Sequence, residues 1–269
     1  MTTTELDPSL FAGARAAMEA LADARKRFSK EELCAYVGTG ADGTPTMKVD
    51  ELVEARIVDA LGPFGCNIVS EELGFVDNGS AVTLVIDPLD GSANAANEIP
   101  LACFSVALAV DGEFKEALTV WLETGQQWGA NRDGSVTVGA PAGGWKTSGR
   151  KHLEGAAISL LRPHPTTWGS WKATVEVASR VRILSCSTLE SVLVLQGSTD
   201  LFADCASDTQ RLVDIAAAAV LLPIAGGVVI DLHDRPISFT TDLTTRWSAI
   251  VAASEPLARE FQAVALSAL

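Results

Sequence analysis

The residues with the most chemistry to offer are carboxylates that stop apolar runs. In LVIDPLDGSANAANE, residues 84–98, Asp87 and Asp90 stand three positions apart around Pro88 and Leu89, with Gly91 and Ser92 directly after. Pro presets a turn dihedral, Gly accepts positive φ and Asp bonds its own following backbone, so DPLDG taken alone is also an ordinary strand-terminating turn. Glu71 and Glu72 follow another apolar run, CNIVS, where they could equally form a solvated corner. Asp214 interrupts LVDIAAAAVLL. A carboxylate there is costly unless it is paired, ligates a cation or faces a helix N-terminus.

Taken jointly, these acids suggest a divalent-metal site. Mg²⁺ takes hard oxygen ligands in near-octahedral geometry and usually keeps waters for chemistry. Asp87, the Leu89 carbonyl and Asp90 form a compact set, which Glu71 and Asp214 would extend. Gly91 and Ser92 open what reads as a short helix, whose free N–H groups suit a phosphate. The turn would then hold metals on one side and a phosphate on the other. Arg211, three residues before Asp214 and on the same helical face, is the best substrate-side cation, unless it is a surface Arg near a helix start. Arg182 and Thr188, at a strand–helix junction, are further substrate candidates. His164, Trp168 and Trp171 in RPHPTTWGSW suit either a lid or ordinary packing.

These residues need elements to position them. Ala, Leu and Arg at helical spacing over 8–28, and apolar residues at three and four over 49–61, predict two amphipathic helices around a Gly/Thr/Pro loop at 38–46. Short apolar runs then predict strands at 66–70, 82–87, 102–110, 114–122 and 126–131, with a hairpin turn at 111–113 and an antiparallel look. The Gly-rich stretch 139–151 is the best lobe boundary. It divides the chain into 1–145, a metal-binding α+β lobe, and 146–269, an α/β lobe completing the site. In the second lobe strands near 156–161, 181–185 and 200–205 alternate with helices near 166–179, 187–197 and 211–224.

With 48% hydrophobic and 20% charged residues, the chain can bury a sizeable core. No apolar run approaches a membrane span, and the N-terminus lacks the layout of a signal peptide, so a cytoplasmic location is expected. The five cysteines are odd in number, scattered and without a CxxC pair, which suggests neither a disulfide framework nor a zinc site. The formal charge of −14 argues against nucleic acid or an anionic membrane as partner.

The motifs SEE (70–72), DPLDGSAN (87–94) and DIAAAAVLLPIAGG (214–227) resemble, in order and spacing, the signature regions of the inositol monophosphatase family of Mg²⁺-dependent, lithium-sensitive phosphatases. The stretch GADGTPTMKVDELVE (40–54) is similar to the archaeal-type branch that includes inositol monophosphatase/fructose-1,6-bisphosphatases. The resemblance implies a layered α/β/α/β/α sandwich, a homodimer and two or three Mg²⁺ per site. It implies metal ligation by Glu71, Asp87, the Leu89 carbonyl, Asp90 and Asp214, and phosphate binding at Gly91 and Ser92. Ser92 takes the place of the usual Thr, whose hydroxyl, paired with the acid matched by Asp50, helps activate the attacking water. The implied reaction is direct in-line hydrolysis of a small phosphorylated sugar, polyol or nucleoside, with no covalent phosphoenzyme. The substrate could be an inositol or fructose phosphate, a 3′-phosphonucleotide or an intermediate of a specialised bacterial pathway. Ala95, Val213 and CAS (205–207) depart from the family's substrate-side pattern and favour the last. A weakly active metal-dependent binding protein is the rival reading.

Overall fold

The computed structural model describes residues 5–269. Helix α1 (Pro8–Arg27) starts where Asp7 accepts from the Ser9 N–H at 2.9 Å and Pro8 fits the first turn. It is followed by α2 (Lys30–Cys34), the hairpin β1 (Tyr36–Thr39) and β2 (Pro45–Met47), and α3 (Lys48–Leu61). Next come β3 (Asn67–Ser70), β4 (Gly74–Val76), β5 (Val82–Asp90), the short α4 (Ser92–Ala96), β6 (Cys103–Val110), β7 (Glu113–Trp121), β8 (Gln127–Asn131) and β9 (Thr137–Val138). These strands form a seven-stranded sheet in the order β4-β3-β5-β6-β7-β8-β9.

After a long connection come β10 (Ala157–Leu160), α5 (Trp168–Val177), β11 (Arg180–Arg182), α6 (Ser187–Leu195), β12 (Leu201–Ala203) and α7 (Leu212–Ile224). The chain ends with β13 (Val228–Asp231), β14 (Ala249–Ala252) and α8 (Glu255–Leu266). The second sheet has five strands in the order β11-β10-β12-β14-β13.

Three apolar cores stack the layers. Leu10, Ala17, Val53 and Ile57 of α1 and α3 pack on Leu84, Ile86 and Phe104 of the first sheet. That sheet's other face, through Val85, Ala107 and Trp128, packs on α6 and α7. Ile158, Leu201 and Ile250 of the second sheet then meet Leu257 and Phe261 of α8. The result is α/β/α/β/α, the expected sandwich.

The first sheet is not wholly antiparallel: β3 runs parallel to β5, with Ser70 opposite Ile86. The second is mixed, with β10 parallel to β11 and β12, and β14 antiparallel to β12 and β13. DPLDG also differs from its expected form, because β5 continues through it. Asp87 pairs with Ser105 and Asp90 with Cys103, so Pro88 and Leu89 are extruded as a bulge. Pro88 has no N–H for the ladder, and a bulge is where a sheet tolerates that.

Candidate active site

The parallel pairing of β3 and β5 decides where the acids meet. Glu71 follows β3 and Asp87 continues β5 at the same end of the sheet, one residue beyond the last parallel pair, Ser70–Ile86. Helix α7 crosses the same sheet in the middle layer and places Asp214 in its first turn. There Asp214 Oδ2 accepts from the Arg211 N–H at 2.6 Å, so the acid also caps its helix.

Asp87 is fully buried. Its Oδ1 accepts from the Leu89 N–H at 3.2 Å, and Oδ2 has no hydrogen-bond partner. Burial, then Asp90, Glu71 and Asp214, push its carboxyl well above the usual range. Asp90 is held from the start of α6: its Oδ2 accepts from the N–H of Thr188 at 2.6 Å, from Thr188 Oγ1 at 2.7 Å and from Cys186 Sγ at 3.4 Å. Burial and the nearby Asp214 also raise Asp90. Glu71 is pushed up to about 8 by burial and Asp214, against the pull of Arg211. Ser92 Oγ donates to the Leu89 carbonyl at 2.8 Å. Asp50 accepts from the Met47 N–H at 3.1 Å and is pushed up to about 6 by burial, which outweighs the downward pull of the neighbouring Ser92 hydroxyl and the Met47 N–H.

The Arg211 guanidinium lies inside this cluster. Nη1 donates to Asp42 Oδ2 at 2.8 Å and to Glu71 Oε1, while Nη2 and Nε reach the two Asp214 oxygens at 3.0 and 3.1 Å. In this arrangement no three His, Cys, Asp or Glu side chains among the described residues stand in metal-binding geometry. The donors nonetheless fit Mg²⁺ in kind: they are hard oxygens, and the buried, unpartnered Asp87 Oδ2 asks for a cation.

A cavity of about 260 Å³ adjoins the cluster, lined by Asp90, Asp214, Arg211, Arg162, His164 and Ile183 among others. A larger one, about 540 Å³, lies between β13 and Phe114 and contains none of these acids. Its Arg235 and Arg259 are already paired with Asp231 and Asp234, so the smaller cavity is the one that meets the chemistry.

The structure brings together Asp50, Glu71, Asp87, Leu89, Asp90, Ser92, Thr188, Arg211 and Asp214. It leaves Arg182 on β11 beside Ser159, outside the cavity lining. Thr188 is buried and turned to Asp90 instead of the open cavity. Ala95 and Val213 are core residues, and the Ala95 carbonyl accepts from Arg25. Cys205 is buried against Thr174. His164 does line the cavity, while Trp168 stacks on Trp171 with ring centroids 5.5 Å apart. Asp42, Cys186 and Arg162 were not singled out by sequence. Asp42 in a Gly-rich loop looks like a turn residue, and it does accept from the Thr44 N–H at 2.8 Å.

Two sheets separated by a helical layer, with a carboxylate cluster where α7 meets the end of the first sheet, make the layered fold of the sugar phosphatases. The chain belongs to the inositol monophosphatase family, a family of metal-dependent phosphoric monoester hydrolases, whose model matches residues 5–268. It is 33% identical to a fructose-1,6-bisphosphatase/inositol-1-monophosphatase of Thermococcus kodakarensis over 82% of this chain and 83% of that protein. It is 26% identical to a bifunctional NADP phosphatase/NAD kinase of Methanococcus maripaludis, over 80% of this chain and 42% of that one. A crystal structure of an inositol monophosphatase-fructose 1,6 bisphosphatase superposes with TM-score 0.81 at 29% identity, covering 96% of this chain and 98% of the other.

Proposed function

We infer that this chain is a Mg²⁺-dependent phosphomonoesterase acting on a small phosphorylated sugar, polyol or nucleoside. The observation that carries the reading is Asp87, fully buried, with one oxygen unpartnered, and raised by three neighbouring carboxylates. A buried group in that position is destabilising unless a cation completes it. Glu71, Asp87, the Leu89 carbonyl, Asp90 and Asp214 would hold two or three Mg²⁺. When bound, these ions supply Lewis acidity toward the phosphoryl group and lower the pKa of water.

The chain's own groups do the rest. Thr188 and Cys186 occupy Asp90 Oδ2 and leave Oδ1 for the site. Asp50 accepts a proton through the Ser92 hydroxyl, and the Gly91 and Ser92 amides receive the phosphate. A cavity of about 260 Å³ fits a sugar phosphate better than a dinucleotide, which favours the activity in the Thermococcus relative's name over that in the Methanococcus one. The same reading extends to a cytoplasmic homodimer. No helix among the described residues is long and apolar enough to cross a membrane. Tyr36, Val37, Leu73 and Phe75 are exposed apolar residues on neighbouring segments that would suit a subunit contact.

The test is phosphate release from inositol, sugar, fructose bisphosphate and nucleoside phosphates, with Mg²⁺ and with EDTA. Turnover of one class that EDTA abolishes is expected. Phosphate release that survives EDTA removes the metal mechanism, and silence across the panel removes the activity on these substrates.

A further inference from the structure

Arg211 stands where the carboxylate cluster most needs positive charge. Its partners come from three separate parts of the chain: Asp42 in the loop between β1 and β2, Glu71 after β3, and Asp214 in α7. The Asp42 side chain is wholly buried, and Arg246 stands 3.7 Å from the same carboxylate. Burial alone would raise Asp42, but the Thr44 backbone and Arg211 outweigh it and keep it ionised. The guanidinium is therefore fixed by charge on several sides. Arg211 also lines the adjoining cavity, so a short swing would take its head from the acids to the space beside them.

Divalent ions that drew on Glu71 or Asp214 would need oxygens that the guanidinium uses. Guanidinium and dication repel each other, so both cannot occupy those oxygens at contact distance. We propose that Arg211 is a resident counter-ion of the metal site, latched there by Asp42, and that divalent-cation entry exchanges its guanidinium into the substrate cavity. The inference rests on the metal-dependent phosphatase reading and adds an order to it. The cation-free protein stays folded because Arg211 compensates the acids, and the cavity gains its cation only after the metal is in. If the latched form holds about nine-tenths of the cation-free molecules, the apparent metal Kd is weakened about tenfold.

Calorimetric titration of Mn²⁺ into the EDTA-treated full chain tests this. Arg211→Met should bind Mn²⁺ about tenfold more tightly than wild type. Asp42→Asn, which keeps the guanidinium but removes one tether, should tighten binding by a smaller factor. Both variants should melt earlier than wild type without metal, and the gap should shrink when Mn²⁺ is saturating. Unchanged or weaker Mn²⁺ binding by a folded Arg211→Met protein overturns the latch. Should that variant fail to fold, Asp42→Asn decides by the same criterion. A latch overturned in this way leaves the wild type's Mn²⁺-dependent phosphate release intact. A wild type and variants that neither bind Mn²⁺ nor release phosphate remove both the latch and the phosphatase reading.

Discussion

Thr188 gives both of its donors to a single oxygen of Asp90, the backbone N–H at 2.6 Å and Oγ1 at 2.7 Å, although the two residues lie 98 positions apart. The contact joins the first turn of α6 to the end of β5, so a helix of the middle layer orients an acid of the first sheet. Thr188→Val keeps the shape and the N–H but removes the hydroxyl. We expect kcat or metal affinity to fall by about 10–100-fold, as for loss of a partner behind a metal ligand. Thr188→Ser should restore most of it. Equal losses in Val and Ser variants would point to packing instead of the hydroxyl.

Ser92 and Asp50 make a second prediction. Ser92→Ala should lower kcat by about 10²-fold, the low end for removing a proton-transfer group, while Ser92→Thr should stay within a few-fold of wild type. Asp50 must be ionised to accept a proton and is pushed up to about 6 by burial. Activity should thus rise with pH through about 6, and Asp50→Asn should lose that limb together with most of the rate. A pH–rate profile with the same acidic limb in Asp50→Asn assigns the limb to another group.

Glu190 gives a prediction about stability that is separate from turnover. It is fully buried on α6, Oε1 accepts from the Leu184 N–H at 3.1 Å, and Oε2 has no partner. Burial, with Asp90 adding to it, pushes the carboxyl from 4.5 up to about 8. A raised folded pKa means that the native state binds more protons than the unfolded one. Its stabilising share is complete below about pH 4.5 and is lost as pH climbs to about 8. Glu190→Gln should match wild type near pH 5 and be more stable near pH 8.5, by at most about 4 kcal/mol. Urea unfolding at the two pH values measures this, and an equal gap at both would rule out the carboxyl's titration as the cause.

Much of the site was legible because its acids end apolar runs, and a sheet gathers strand ends at one edge. The parallel partnership of β3 and β5 was not legible, since antiparallel and parallel strands share one alternation; yet that pairing is what sets Glu71 beside Asp87. DPLDG was half legible. Its composition marks a break, and only the partner strand shows that Asp90 resumes pairing with Cys103. The Arg211–Asp42 contact spans 169 positions and is invisible to any local pattern. The same holds for Cys186 and Thr188, whose meaning depends on α6 packing beside the end of β5. Beyond residue 224 the expectations name no element, yet Ser254, Pro256 and the buried Leu257, Phe261 and Ala265 mark α8 by its cap and its spacing of four.

Gly91 is where fold and chemistry constrain one residue most tightly. It joins the bulged end of β5 to α4 at φ +85°, a conformation that costs an L side chain about 1–2 kcal/mol. A Cβ there would stand 2.5 Å from the Leu101 carbonyl oxygen and 3.3 Å from the Cys186 Cβ. Neither is a flexible side-chain end, so the backbone must yield, at about 1–3 kcal/mol more. Gly91→Ala should therefore lose about 3 kcal/mol in urea unfolding, the sum of the two effects. Because the same shift would pull Asp90 from Thr188 and move Ser92, kcat should fall further than the folded fraction does. An Ala variant with wild-type stability would mean that the 91–92 junction relaxes freely, and its phosphate kinetics would then report on the chemistry of the amides alone.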